Sequence, residues 1–149
     1  HVLPHVRTDL VSWSCYDGMR NDKRSAEQTA IGLWQGIETI RHFARPAHEG
    51  RDVPVYIGEI GIPEEKGFTR QDIAAIWDGA FAALFALDIP YILQWQLYDN
   101  EVRDGVPQDK STYSAGELNG YWIRKPDGSL SPTGEYLTGL LRRAGQNKQ

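Results

Sequence analysis

Residues 53–63 read VPVYIGEIGIP, and the interpretation of the chain starts from this stretch. Val55 and Ile57 alternate with a tyrosine and a glycine, and such alternation of β-branched residues predicts a strand. On a regular strand Val55, Ile57 and Glu59 point to the same face. A carboxylate at the end of an apolar face is costly to bury unless its charge is compensated. Glu59 is therefore a solvated strand-end residue, a partner of an arginine, or a functional carboxylate.

The composition limits the classes of protein to consider. With 149 residues and 40% hydrophobic composition, the chain has enough material for a single domain, residues 1–149. A net charge of -4 and a pI of about 5.5 give no reason to expect a nucleic-acid partner or an anionic membrane surface. No apolar run approaches the length of a membrane span. We therefore expect binding to neither nucleic acid nor membrane.

The residues that usually hold metals show no ligand pattern. The single cysteine, Cys15, excludes an internal disulfide and a multi-thiolate metal site. The four histidines have no metal-ligand spacing, so we expect no metal and no cofactor. Five Trp and seven Tyr exceed what a core of this size needs, and wide clefts often use such side chains as flat binding surfaces.

Strand and helix patterns alternate along the chain. Residues 9–16 (DLVSWSCY) predict a strand before the Glu59 strand, and residues 89–97 (IPYILQWQL) predict one after it. Three helices are predicted, each after a capping residue: Ser25, Thr69 and Ser131. Their apolar stripes, expected to be buried, include Leu33, Trp34, Ile37, Ile73, Ile76, Trp77, Leu84, Leu140 and Leu141. This order indicates βαβ units and a parallel sheet.

Three chemically suitable residues fall at the carboxyl ends of the predicted strands. Tyr16, Glu59 and Trp95 end successive strands. In α/β sheets the active groups lie in the loops at that edge, so we expect the three side chains to converge. The polar stretch 98–120 follows the third strand, and loops of this length in compact domains are usually functional.

The segments DLVSWSCYD, VYIGEIG and ILQWQLYDN resemble strands six, seven and eight of the TIM-barrel retaining glycoside hydrolases, the clan that includes cellulases, β-mannanases and β-galactosidases. The closing segment GYWIRKPDGSLSPTGEYL resembles the part that leads those enzymes into their last helix. The resemblance covers nearly the whole chain. It implies an α/β fold that is a partial (β/α)₈ barrel, with about three of the eight units.

The resemblance also implies roles for the strand-end residues. Glu59 matches the nucleophile, and Tyr16 matches the tyrosine whose hydroxyl hydrogen-bonds that nucleophile. Trp95 matches the tryptophan that forms the floor of the sugar site, which suits an oxocarbenium-like transition state. Ser14 stands where the family often has a histidine. Loop residues that could bind sugar hydroxyls are Tyr98, Asp99, Asn100 and Glu101.

The carboxylic acid that protonates the leaving group has no match in this sequence. Retaining hydrolysis needs it about 5–5.5 Å from the nucleophile. In the family it follows an asparagine at the end of strand four, whereas this chain starts near strand six. Asn100-Glu101 lies in the wrong loop, and Glu64 and Glu65 are interpreted as surface glutamates. We expect activity only when a barrel is completed.

Three interpretations stay open on the sequence. The first is the nucleophile-bearing part of a retaining β-glycosidase that acts on a β-linked carbohydrate. The second is a catalytically inactive carbohydrate-binding or scaffold module. The third is an unrelated α/β domain with a flavodoxin-like sheet, which gives no reason for three strand-end residues to meet. Sugar and linkage are not specified by these residues, and the resemblance favours a secreted or periplasmic location.

A partial barrel would leave strand edges and half of a core exposed. The predicted outer strands contain no lysine or arginine that would discourage pairing. The inward face, to which we assign Val55, Ile57 and either Leu93 or Ile92, would lack the opposite wall of the barrel. We therefore expect a homo-oligomer formed through the strand edges.

Overall fold

Helices and strands alternate in a computed structural model that describes residues 2–19 and 25–146. The strands are β1 (Val11–Ser14), β2 (Val55–Ile60) and β3 (Ile92–Gln94). The helices are α1 (Tyr16–Met19), α2 (Ala26–Ala44), α3 (Arg70–Ala86) and α4 (Pro132–Gln146). The strands form an open parallel sheet in the order β1-β2-β3. The predicted α/β class and parallel sheet are confirmed.

The outer strands are shorter than the sequence pattern predicts. After Cys15 the chain turns into α1, so the prediction that the first strand extends to Tyr16 is wrong. After β3 the chain leaves the sheet and pairs with a later segment. The Gln96 N–H donates to the carbonyl of Tyr121 at 2.7 Å and not to a strand of the sheet. The end of the predicted third strand, residues 95–97, therefore lies outside β3.

A bulge interrupts β2 next to its glutamate. Trp13 of β1 pairs with Ile57 of β2, but the next residue of β1, Ser14, pairs with Glu59. Gly58 is therefore skipped in the pairing. An extra residue in one strand reverses the alternation of side chains beyond it. Ile60 therefore returns to the buried face, and Glu59 is half-buried on the opposite face. The prediction that Glu59 shares a face with Val55 and Ile57 is wrong.

The helices cover one face of the sheet and leave the other open. Val55 and Ile57 are fully buried in the core with α2 and α3, so their assignment to the inward face of a barrel is wrong. Ile92 also packs against this core, whereas Leu93 is 53% exposed. The open face therefore carries Leu93 and Tyr91, which is 60% exposed.

Capping residues set the helix starts as predicted. Ser25 and Thr69 each form a capping box, with Gln28 and Asp72 respectively. Gly79 of α3 lies directly against the backbone of α2, since a Cβ there would come 2.0 Å from a carbonyl oxygen. The glycine thus permits the close packing of these two helices.

Two residues predicted to be buried on helical stripes are exposed. Trp34 is 46% exposed and Leu141 is 72% exposed. Each directly follows a better-covered leucine, so its side chain lies about 100° further round the helix. The part of each apolar stripe that carries these two residues is therefore exposed.

Glu64 connects the start of α4 to the loop after β2. It is only 8% exposed, so the prediction of a surface residue is wrong. The Thr133 N–H donates to its Oε1 at 2.7 Å, and the indole N–H of Trp122 donates to its Oε2 at 3.3 Å. Burial raises the pKa of Glu64, while the hydrogen bonds from Thr133, Ser131 and Trp122 oppose that rise.

Candidate functional site

Tyr16 and Glu59 meet at the carboxyl ends of two neighbouring strands. The Cys15 N–H donates to the carbonyl of Glu59 at 3.0 Å, and Tyr16 follows as the first residue of α1. The pKa of Tyr16 lies well above its ordinary value, and burial is the largest cause. The charge of Glu59, a hydrogen bond to Glu59 and the charge of Glu101 raise it further, in decreasing order. The phenol thus stays protonated and can donate to the carboxylate.

Cys15 supports the backbone beneath the carboxylate. Its buried Sγ donates to the carbonyl of Glu59 at 3.4 Å. Burial raises the pKa of Cys15 to about 12, so the thiolate is scarce near neutral pH. Its place in the core and its partner assign this thiol a structural role.

Trp95 follows β3 and brings an indole to the same edge of the sheet. Its backbone N–H donates to the carbonyl of Ile60 at 2.8 Å, and the Trp95-Gln96 peptide is cis. Its indole N–H donates to Oε1 of Glu101 at 2.5 Å. A Cβ at position 61 would come 2.4 Å from the Trp95 carbonyl, so Gly61 is what allows this approach.

Asp99 and Asn100, in the loop after β3, have different hydrogen-bond partners. Asp99 accepts hydrogen bonds from the backbone N–H groups of Glu101, Gly120 and Tyr121, which occupies both of its oxygens. Asn100 accepts from the side-chain amide of Gln96 at 2.9 Å. Asp99 therefore holds two loop segments together.

A groove of about 430 Å³ lies on this loop. Its lining includes an exposed tyrosine, amide and hydroxyl groups and an arginine: Tyr98, Asp99, Asn100, Thr112, Tyr113 and Arg124. Neither Glu59 nor Trp95 is among the described residues that line it. Of the loop residues predicted to bind sugar, Tyr98 and Asn100 thus open onto this groove and not onto the Tyr16–Glu59 pair.

Tyr121 belongs to this cluster, although the sequence pattern did not single it out. The ring of Tyr121 packs edge-on against that of Tyr16, with centroids 5.8 Å apart. Burial, followed by the charges of Glu101 and Asp99, raises the pKa of Tyr121. Both contacts join positions far apart in the chain, and the only local signal is that Tyr121 follows Gly120 in the quoted closing segment.

The described residues contain no group of three His, Cys, Asp or Glu side chains that could hold a metal ion. No helix within residues 2–19 and 25–146 is long and apolar enough to cross a membrane. Comparisons with protein families, curated proteins and solved structures gave no match. The fold and the site define an α/β protein with a tyrosine–carboxylate pair and a tryptophan at the carboxyl edge of its parallel sheet.

Proposed function

We propose that this chain is the nucleophile-bearing part of a (β/α)₈ retaining β-glycoside hydrolase. The observation that carries the proposal is the Tyr16–Glu59 pair, formed at the carboxyl ends of adjacent parallel strands. Trp95 approaches from the third strand, whose backbone is hydrogen-bonded to β2 beside Glu59. The strand order β1-β2-β3 of the open parallel sheet, with helices on one face, supports this proposal because consecutive strands of a (β/α)₈ barrel are also parallel neighbours.

Glu59 is proposed as the nucleophile of this reaction. In the first step its carboxylate attacks the anomeric carbon, and the bond to the leaving-group oxygen breaks as a carboxylic acid protonates that oxygen. The deprotonated acid then takes a proton from water, which attacks the glycosyl-enzyme and releases Glu59. The protonated Tyr16 hydroxyl can donate to Glu59 and so hold the carboxylate in one orientation.

Trp95 is proposed as the surface on which the sugar ring stacks. The indole is half-buried, and its N–H is already engaged by Glu101. An apolar ring face beside a carboxylate suits a sugar whose developing charge resembles an oxocarbenium ion. The acid is proposed to come from the barrel strands that complete the site, because Glu101 already accepts the indole hydrogen bond.

A carbohydrate-binding partial barrel without catalysis is the second candidate. The observation that favours it is the groove formed by the 98–126 loop, in which Tyr98 and Tyr113 accompany amide and hydroxyl groups. Aromatic faces combined with such polar groups can bind a sugar, and binding alone does not require a pair of catalytic carboxylates.

An activity and binding screen separates the two candidates. Aryl β-glycosides are tested with the chain alone and with a supplied N-terminal half of a related barrel, and β-linked hexasaccharides are tested for binding by calorimetry. Turnover only in the presence of the supplied half supports the hydrolase. Saccharide binding without turnover in either preparation favours the binding module, and the absence of both contradicts both candidates.

Association of two copies is proposed for the chain in isolation. The outer edges of β1 and β3 have no strand partner in the described sheet, and Tyr91 and Leu93 are exposed on its open face. Covering apolar surface contributes roughly 25 cal/mol per Å². Light scattering at micromolar concentration is expected to give a multiple of 16.8 kDa.

Matched variants test whether this face is the interface. Leu93→Lys should shift the molecular mass to that of a monomer, because it places a charge on the open face of the sheet, which the second copy is proposed to cover. Phe43→Lys, at another exposed apolar residue on α2, should leave the mass unchanged. A wild-type monomer that binds no hydrophobic dye would contradict the proposed association.

A further inference from the structure

We infer that Glu101 is a positioning residue that sets the orientation of the Trp95 ring for stacking on a sugar. This inference rests on the proposed function, since it concerns the same site. The resemblance implies for Glu101 only that it could bind sugar hydroxyls, so the positioning of Trp95 is an additional role.

The hydrogen bond joins the edge of the indole to the carboxylate. The indole N–H of Trp95 donates to Oε1 of Glu101 at 2.5 Å, and both side chains are half-buried. Trp95 has a single side-chain donor, so one bond at the ring edge restricts rotation about χ1 and χ2 together. A bond at the edge also leaves the two ring faces free for stacking.

The backbone of Glu101 is itself held in place. Its N–H donates to Oδ1 of Asp99 at 2.8 Å, while its carbonyl accepts from the Asn119 N–H at 2.9 Å. The other oxygen of Asp99 accepts from the N–H groups of Gly120 and Tyr121. The carboxylate that holds the indole is thus anchored to both segments of the loop, and binding the sugar requires less ordering of the platform.

The carboxylate lies within the candidate active site. Its charge acts on the hydroxyls of both Tyr16 and Tyr121. Tyr16 also pairs with Glu59, so the platform and the proposed nucleophile share one neighbour. A rotated Trp95 would therefore displace the sugar relative to Glu59 as well as weaken the stacking.

A double-mutant cycle tests the coupling between the two residues. Glu101→Ala should weaken binding of a β-linked hexasaccharide by roughly tenfold, the factor that corresponds to loss of one hydrogen bond to a charged group. Glu101→Gln should restore most of the affinity, because the amide oxygen still accepts from the indole N–H. In a Trp95→Phe background, which has no ring donor, Glu101→Ala should have no further effect.

The orientation of the ring is measured separately from binding. Near-ultraviolet circular dichroism and acrylamide quenching of each variant are compared with its Trp95→Phe counterpart, which isolates the signal of this one tryptophan. Glu101→Ala should change the Trp95 signal and increase its quenching, whereas Asp104→Ala, an exposed site in the same loop, should not. Thermal unfolding of each variant verifies that it is folded.

The outcomes separate this inference from the proposed function. The positioning role would be overturned if Glu101→Ala lowered the affinity equally in the wild type and in the Trp95→Phe background. An unchanged Trp95 signal in Glu101→Ala would also overturn it. If the wild-type chain neither binds nor hydrolyses β-linked saccharides, even with the supplied barrel half, the proposed function alone is contradicted, because the Trp95 spectra still decide whether Glu101 orients the ring.

Discussion

Glu59→Gln is expected to remove turnover of aryl β-glycosides by the completed barrel, with a loss of kcat/KM of more than about 10³-fold. The amide keeps the shape of the side chain but is too weak a nucleophile to form the glycosyl-enzyme. The fold should be retained, because Glu59 is half-buried on the open face and its backbone bonds to β1 are unaffected. Kinetics are measured alongside thermal unfolding.

Two control variants show whether the loss is specific to the nucleophile. Tyr16→Phe should reduce kcat/KM by a smaller factor, because the carboxylate persists and loses only one hydrogen-bond donor. Glu49→Gln, at an exposed site, should leave the rate unchanged. Retention of more than a few per cent of the rate in Glu59→Gln would refute the assignment of the nucleophile.

Glu64→Ala is expected to lower the free energy of unfolding by roughly 2–6 kcal/mol. The substitution leaves the buried N–H groups of Thr133 and Trp122 without their acceptor, and each unsatisfied buried donor costs about 1–3 kcal/mol. Urea denaturation measures the change. Glu65→Ala, at the neighbouring half-buried position, should cost less than about 1 kcal/mol. Equal losses for the two variants would contradict the connecting role of Glu64.

The raised pKa of Glu64 also predicts how stability depends on pH. Because the folded-state pKa lies above the ordinary value of 4.5, the folded protein binds this proton more tightly than the unfolded chain. The resulting stabilisation is present below the unfolded pKa and is lost as the pH rises through the folded pKa. Relative to Glu64→Gln, which does not titrate, the wild type should therefore lose stability from pH 4 to pH 7. The opposite trend would mean that the hydrogen bonds outweigh the burial.

The parts of the fold that depend on local signals were predictable. Ser25, Thr69 and Ser131 mark helix starts because a side chain caps backbone N–H groups within the next three residues. The parallel sheet was predictable because strands and helices alternate at a spacing that favours βαβ connections. The placement of Tyr16 and Glu59 at neighbouring strand ends followed from that order, and the structure brings the two side chains together.

Features that depend on distant partners were not predictable. The bulge at Gly58 reverses the side-chain alternation, and its position is visible only through pairing with β1. Glu64 looks like a surface residue in a polar loop, but the start of α4 and Trp122 enclose it. Trp34 belongs to an apolar stripe, yet the packing of α2 leaves that side uncovered.

The sequence by itself determined the order of the elements, the helix starts and the choice of Tyr16, Glu59 and Trp95 as strand-end residues. Those properties depend on periodicity and capping within a few residues. Only the tertiary structure decided the face on which Glu59 lies, the bond between Trp95 and Glu101 and the burial of Glu64. These depend on strand register and on contacts between segments far apart in the chain, which a local pattern of residue types does not encode.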